Sequence, residues 1–441
     1  MNGPRKLAIC ILPFANMSGD AEQEYFSDGI TEDIITDLSK VSALLVVSRN
    51  SAFAFKGRNV DVPQIARQLD VSHVLEGSVR KSGGRVRITA QLIDGATGGH
   101  VWAERYDRDL ADIFALQDEI SRAIVTALRL KLLPTEEEAI RARGTSDLDA
   151  YNLYLMARKF YMTGTLSSGR RYEAIIRLTR RAVEIDPNYA QAWALLAVAQ
   201  ATHRNAFGAS RDNGSEAAER ALALDPNLAE AHAARARARV AVGDFEKAVD
   251  DAHDGYRIDP ESYEVNYVSA IAHFALRRYP QALRLWRKAA SLSESDYLSS
   301  GMIMTVATAL GDAAAAREAA QDLLGRVGKV VAREPDNGTA LAFMVLALAQ
   351  LGEEARARAL AARALLIDPD NTIMRYNIAR AFATGLKDGD GALDLLEPAF
   401  AKLHPGGVAW IGIEPDFDSL RPHPRFQAML AQAKARLLSD A

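Results

Sequence analysis

The sequence predicts an α+β multidomain chain in which a small α/β sheet domain is followed by an all-α superhelix of repeated helix pairs. Three observations carry this. In the first 133 residues, apolar runs of strand length alternate with stretches whose apolar residues recur every three or four positions. From about Asp147 onward that alternation gives way to Ala, Leu and Arg. Within this later part, acidic-proline pairs close short Ala/Leu-rich stretches at Asp186-Pro187, Asp225-Pro226, Asp259-Pro260, Glu334-Pro335 and Asp368-Pro369, with separations of 39, 34, 75 and 34 residues. The 75 divides into 34 and 41 if Ser293-Glu294 is a degenerate copy. A fixed period of this size is the mark of stacked supersecondary units.

In the first part, Leu7–Leu12 is a continuous apolar run that suits a strand covered on both faces. Tyr25, Phe26, Ile30, Ile34, Ile35 and Leu38 form one buried helical stripe. Leu44–Ser48 reads as a second strand. A second helix follows through Val62, Ile65, Ala66 and Leu69, with Asp61 at its N-cap and Pro63 in its first turn. His73–Arg80 and Arg85–Ile93, joined by Ser82-Gly83-Gly84, predict an antiparallel hairpin. Val86, Ile88, Ala90 and Leu92 alternate with Arg85, Arg87, Thr89 and Gln91, which sets one face in the core and the other in water. A strand at Val101–Tyr106 and a helix after Asp112 complete the order β-α-β-α-β-β-β-α.

Five motifs in this order carry a family resemblance: Leu12-Pro13-Phe14-Ala15-Asn16-Met17-Ser18-Gly19-Asp20, Glu24–Ile34 with its Asp28-Gly29-Ile30-Thr31, Val74–Arg80, Arg87–Asp94 and Trp102–Asp107. Over residues 6–133 the chain resembles the TolB-amino-terminal/FlgO-like domain. In bacteria that domain precedes tetratricopeptide repeats and commonly follows a class III adenylate/guanylate cyclase domain or a winged-helix DNA-binding domain. The resemblance implies a signalling or regulatory module and transfers no ligand-binding residues. A class III cyclase needs paired Asp residues at strand ends to hold two metals against the triphosphate. At its first strand end this chain offers Pro13-Phe14-Ala15-Asn16 instead. The expectation is that the output domain is absent or supplied by another polypeptide.

The repeated part resembles a tetratricopeptide array. With Ala190 as position 1, Trp193, Leu196 and Ala197 fall at positions 4, 7 and 8; with Ala229 as position 1, Ala248, Ala252 and Pro260 fall at 20, 24 and 32. The unit from Tyr263 places Ala282 at 20 and Ala289 at 27, and the unit from Gly338 matches with Leu341, Val345, Ala357, Ala361, Ala364 and Pro369. Small residues are needed where helices approach within about 8–10 Å, and proline stops the second helix. Two units are long. The Ala190 unit carries extra residues in its Asn205–Gly214 turn, and the Tyr297 unit carries seven near Gly325-Arg326-Val327, which amounts to two added helical turns. An imperfect unit from Thr372 to about His404 is followed by a C-terminal segment that caps the last repeat. The resulting division is residues 1–133 (sheet domain), 134–146 (linker), 147–413 (six or seven repeat units) and 414–441 (cap).

In a tetratricopeptide superhelix, positions 2, 5, 9 and 12 of each first helix face the concave groove. The resemblance therefore assigns Arg237, Tyr267, Phe274, Tyr376 and Arg380 to a partner-binding groove. Arginine forks clamp carboxylates or phosphates, and aromatics supply contact area at low entropic cost. The alternative is that Arg235, Arg237 and Arg239 form a solvated face while the aromatics fill spaces between helices. Asp28, Gly29 and Thr31, read as a helix start, are a second candidate, for an anion or a partner; capping explains Asp28 and Thr31 equally well.

The remaining patterns argue against catalysis. The histidines are scattered without a HExxH or a cysteine partner, so no metal site is expected. Ser18-Gly19-Asp20 and Ser82-Gly83-Gly84 lack phosphate-loop spacing, and no nucleophile elbow is present. With 53 basic against 57 acidic residues, the net charge of −4 gives no global attraction for DNA or anionic lipid. No apolar run reaches the roughly 18 residues of a membrane helix, and a single cysteine, Cys10, fits a reducing compartment. The sequence thus predicts a cytoplasmic, non-enzymatic interaction scaffold that needs no cofactor and docks a protein or peptide without direct nucleic-acid contact or membrane insertion. The alternative is the regulatory portion of a class III adenylate/guanylate cyclase system whose catalytic domain is absent or on another chain.

Overall fold

A computed structural model of the chain describes residues 7–58, 60–141, 144–163, 169–207, 212–293, 296–403 and 405–439. The chain divides into two compact units, one of Met1–Lys159 with Ile185–Asn188 and the other of Phe160–Glu184 with Tyr189–Ala441.

In the first unit, β1 (Leu7–Ile11), β2 (Ala15–Asn16), β3 (Leu44–Val46), β4 (His73–Ser82), β5 (Arg85–Asp94) and β6 (His100–Asp109) form one sheet of order β3-β1-β4-β5-β6. β1 pairs in parallel with β3 and β4, whereas β4, β5 and β6 form an antiparallel meander. Pro13 has no N–H to donate. The first strand is accordingly interrupted after β1 and resumes on β4 as β2, with Ala15 opposite Ser78. The hairpin alternation holds: Val86, Ile88, Ala90 and Leu92 are fully buried, and Arg85 and Arg87 are exposed.

Helices α1 (Glu24–Ser39), α2 (Arg49–Phe53), α3 (Val62–Leu69) and α4 (Ile113–Ala127) follow. The short α2 has no counterpart in the sequence reading. Asp61 occupies the N-cap position of α3 with Pro63 in the first turn, but its side chain makes no capping hydrogen bond. Cys10 is buried in a small cluster with Ala52, Ala66, Val71 and Val74, and burial pushes its thiol up to about 12, which leaves it inert as a nucleophile at neutral pH. Helix α5 (Pro134–Arg141) lies in the stretch expected as a linker. Glu136 ties it down by accepting from the backbone N–H groups of Ser42 and Leu133, each at 2.8 Å. Helix α6 (Leu148–Thr163) then begins the all-helical part.

In the second unit α7 (Gly169–Ile185) precedes a run of antiparallel pairs. These are α8 (Ala190–Phe207) with α9 (Ser215–Leu224), α10 (Ala229–Val242) with α11 (Phe245–Ile258), α12 (Tyr263–Ala275) with α13 (Tyr279–Leu292), and α14 (Tyr297–Ala309) with α15 (Ala313–Arg333). The last two are α16 (Gly338–Gln350) with α17 (Glu354–Ile367) and α18 (Thr372–Ala383) with α19 (Gly389–Lys402). The acidic-proline pairs terminate the second helices. Asp225, Asp259, Glu334 and Asp368 are C-cap residues, and the carbonyl of each accepts from the backbone N–H three residues on. The Asp225 and Asp259 carboxylates also accept from the N–H two residues on, at 3.0 and 2.9 Å. The acid thus closes the turn while proline forbids helix continuation. Ser293 takes the same C-cap role and carbonyl bond; Glu294 lies outside the described residues.

Ala248, Ala282, Ala289, Ala357 and Ala364 are fully buried at the close helix approaches. Helix α15 spans 21 residues against 14 in α11, α13 and α17, so the two added turns are a single continuous helix. Residues 208–211, at the other expected insertion, lie outside the described residues. After the last pair come α20 (Pro405–Ile413) and α21 (Pro424–Ser439). Helix α21 packs on α19, with Phe426 edge-on to Phe400 at 5.8 Å. Helix α20 does something else.

Candidate functional site: the concave groove of the helical array

The first helices of the pairs turn their inner faces onto one cavity of about 190 Å³. Thr202 and Asn205 of α8, Arg237 and Val240 of α10, and Tyr267 and Ile271 of α12 line one side. Leu298 and Met302 of α14, Phe343 of α16, and Tyr376 and Arg380 of α18 line the other. Residues at positions 5 and 9 of a helix are four apart and so share a face. That is why Tyr376 and Arg380, and likewise Tyr267 and Ile271, meet the same space.

Four of the five groove residues read from the sequence are brought together here. Arg237 donates from Nε to the Thr202 hydroxyl at 3.3 Å and lies over the Tyr267 ring at 5.4 Å. Among the described residues it forms no ion pair. Arg235 and Arg239, on another face of α10, both pair with the buried Asp251 and so join α10 to α11. The three arginines therefore divide between repeat packing and groove. Phe274 differs: it does not line the cavity, because its fully buried ring is covered by Trp410, on which it stacks at 5.4 Å, and packs on Trp286 at 5.4 Å.

Arg380 is not open to solvent. It is 1% exposed and donates from Nε to Asp416 at 2.8 Å, from Nη1 to the Asn377 side-chain oxygen at 2.9 Å, and from Nη2 to the Thr305 hydroxyl. Glu414 lies 3.7 Å from the same guanidinium. The Tyr376 hydroxyl donates to Glu414 at 2.5 Å and accepts the indole N–H of Trp410 at 3.0 Å. Burial, together with the Glu414 charge, pushes the Tyr376 phenol well above its ordinary range. Burial raises the Glu414 carboxyl despite the opposing Arg380.

Sequence reasoning missed Trp410, Glu414 and Asp416, which come from α20 and the turn after it and fill part of the groove. The signal available was the spacing of an aromatic and two acids directly after a short apolar helix. It could not reveal that this helix lies inside the array.

The second candidate is corrected in one respect. Asp28, Gly29 and Thr31 do not open a helix; they lie within α1, which begins at Glu24. Thr31 is fully buried, accepts from the Phe14 N–H at 3.0 Å and donates to the Ser27 carbonyl at 2.9 Å, tying α1 to the connection between β1 and β2. A Cβ on Gly29 would lie 2.5 Å from Leu155. Asp28 pairs with Lys56 at 2.5 Å. The motif is thus accounted for by packing and one ion pair. Among the described residues no group of three His, Cys, Asp or Glu side chains is arranged to hold a metal ion, and no helix is long and apolar enough to cross a membrane.

No family model matches the chain. Over 234 residues it is 50% identical to a Rhizobium meliloti (strain 1021) protein named "Putative adenylate cyclase 3", a match that covers 52% of this chain and 39% of that protein. The chain thus spans well under half the length of this relative. Among solved structures it is similar to a thermophilic tetratricopeptide repeat protein of Thermus thermophilus, at 18% identity and a TM-score of 0.33, covering 49% of this chain and 99% of that one. It is also similar to Pseudomonas aeruginosa pilF, at 16% identity and a TM-score of 0.36 over 50% of this chain and 92% of that one. TolB from Acinetobacter baumannii has 16% identity and a TM-score of 0.22, over 28% of this chain and 29% of that one.

Proposed function

We propose that the chain is a non-enzymatic protein-interaction scaffold in signalling or regulation, binding a protein or peptide in the concave groove of the second unit. One observation carries this: six first helices converge on a single, largely apolar cavity that holds an arginine with no acidic partner among the described residues, Arg237, beside Tyr267 and Tyr376. Apolar walls with a few convergent polar groups are the usual make-up of a binding site. Aromatic and arginine side chains are the usual anchors of peptide recognition. A cytoplasmic setting belongs to the same reading, and cell fractionation checks it. A photoreactive amino acid at Ile271 tests the groove against one at Leu366, which is 84% exposed on α17. Polypeptide captured from Ile271 and not from Leu366 is the expected result; capture only from Leu366 would refute the groove.

The 50% identity to the Rhizobium protein over 234 residues favours a second reading. In it the chain is the regulatory portion of a class III adenylate/guanylate cyclase system whose catalytic domain is separate. Purified chain incubated with ATP or GTP and Mg²⁺ or Mn²⁺ is expected to show no turnover, and measurable cyclic nucleotide would overturn the non-enzymatic reading. Altered activity of a separate cyclase domain on adding the chain would favour the second reading.

A further inference from the structure

The groove is already occupied in part by the chain's own residues, and the way they occupy it describes a ligand. Trp410 lies on Phe274 and donates to Tyr376, while Glu414 and Asp416 bring carboxylates to Tyr376 and Arg380. An aromatic anchor followed four and six positions later by acids is thus read by an aromatic wall and an arginine fork.

Two features bear on how firmly this stretch fills the groove. Helix α20 carries Gly406, Gly407 and Gly412 within nine residues, and each glycine weakens a helix interior by about 0.5–1 kcal/mol. The fill is also incomplete, since the cavity of about 190 Å³ remains beside Arg237, whose guanidinium has no acidic partner among the described residues. An incoming acidic chain would find there the charge partner that the resident segment does not supply.

We propose that the groove recognises an acidic peptide bearing an aromatic residue a few positions before its carboxylates, and that Trp410–Asp416 is the chain's own copy of this ligand, displaced when a partner binds. The proposal rests on the reading of the groove as a binding surface. The fixed set of groove donors makes the resident segment and the partner competitors, so the apparent affinity for a partner is reduced by the fraction of chains whose groove is closed.

The test uses a labelled synthetic peptide of residues 405–418, titrated by fluorescence anisotropy into the full chain and into its Trp410→Ala variant. The peptide is expected to bind the variant at least about tenfold more tightly than the wild type. Binding is expected to be lost when the peptide's tryptophan is replaced by alanine or its acids by amides. A folded Trp410→Ala chain, with wild-type circular dichroism, that does not bind the peptide would overturn the proposal. Should that variant not fold, hydrogen exchange of the wild type decides. Faster exchange at 405–418 than in α16 and α18 supports displacement, and exchange only together with those helices makes the segment a permanent part of the array. A concentration-dependent dimer lost in Trp410→Ala would assign the segment to exchange between two copies and would likewise overturn displacement by a partner. Successful photocapture at Ile271 beside a failed peptide titration would refute this inference alone and leave the groove reading standing.

Discussion

Arg380 on α18 donates from Nε to the carboxylate of Asp416 at 2.8 Å, with only 2% and 6% of the two side chains exposed. Removing one member of a buried ion pair strands the other charge, at a cost of about 3–5 kcal/mol where the segment stays seated. Arg380→Met is therefore expected to destabilise the second unit by up to that amount in urea unfolding. Asp416→Asn, whose amide oxygen still accepts from the guanidinium, is expected to cost about 1–2 kcal/mol. Equal losses from the two variants would show that the pair is not what holds the segment.

The Glu414 carboxyl is raised above its ordinary value of 4.5 in the folded chain, through burial that Arg380 opposes without cancelling. Between 4.5 and the raised value the folded state holds a proton that the unfolded state has released, so this group's contribution to stability falls as pH rises through that window. Glu414→Gln removes the titration and still offers an oxygen to the Tyr376 hydroxyl. The stability difference between variant and wild type is expected to shift in favour of the variant as pH rises from about 4.5, followed by urea midpoints at several pH values. A difference independent of pH would mean that Glu414 titrates normally.

Gly214 enters α9 with φ +82°, and a Cβ there would collide with the backbone oxygen of Ala197 on α8. Both the left-handed backbone and the collision penalise any side chain. Gly214→Ala is expected to destabilise by about 2 kcal/mol or more. Gly243, also left-handed but with nothing near its Cβ position, is the control. Gly243→Ala is expected to cost about 1 kcal/mol. Thermal or urea unfolding of the two variants checks the order.

The repeats were legible because their punctuation is local chemistry. An acid at the C-cap and a proline after it act within a few residues of sequence, so Asp225-Pro226 and Asp259-Pro260 mark helix ends without knowledge of the fold. The hairpin was legible for a similar reason, since the alternation from Val86 to Leu92 reports one buried face directly. Groove position followed from the repeat positions of the tetratricopeptide resemblance at Arg237, Tyr267, Tyr376 and Arg380, which line the cavity. It was not legible for Phe274, whose exposure depends on Trp410, 136 residues later in the chain. Nor could periodicity find α20. Its nine residues include no charged or polar side chain other than the Trp410 indole, so no polar face marks its position.

The groove as the partner-binding surface is tested most directly by the dissociation constant of the polypeptide captured at Ile271, measured for wild type, Arg237→Glu and Arg356→Glu. Arg356 sits on α17 with 69% of its side chain exposed and serves as the outer-surface control. The account predicts a loss of at least about tenfold for Arg237→Glu, as expected of a groove anchor, and no change for Arg356→Glu. Equal affinities for wild type and Arg237→Glu would contradict it.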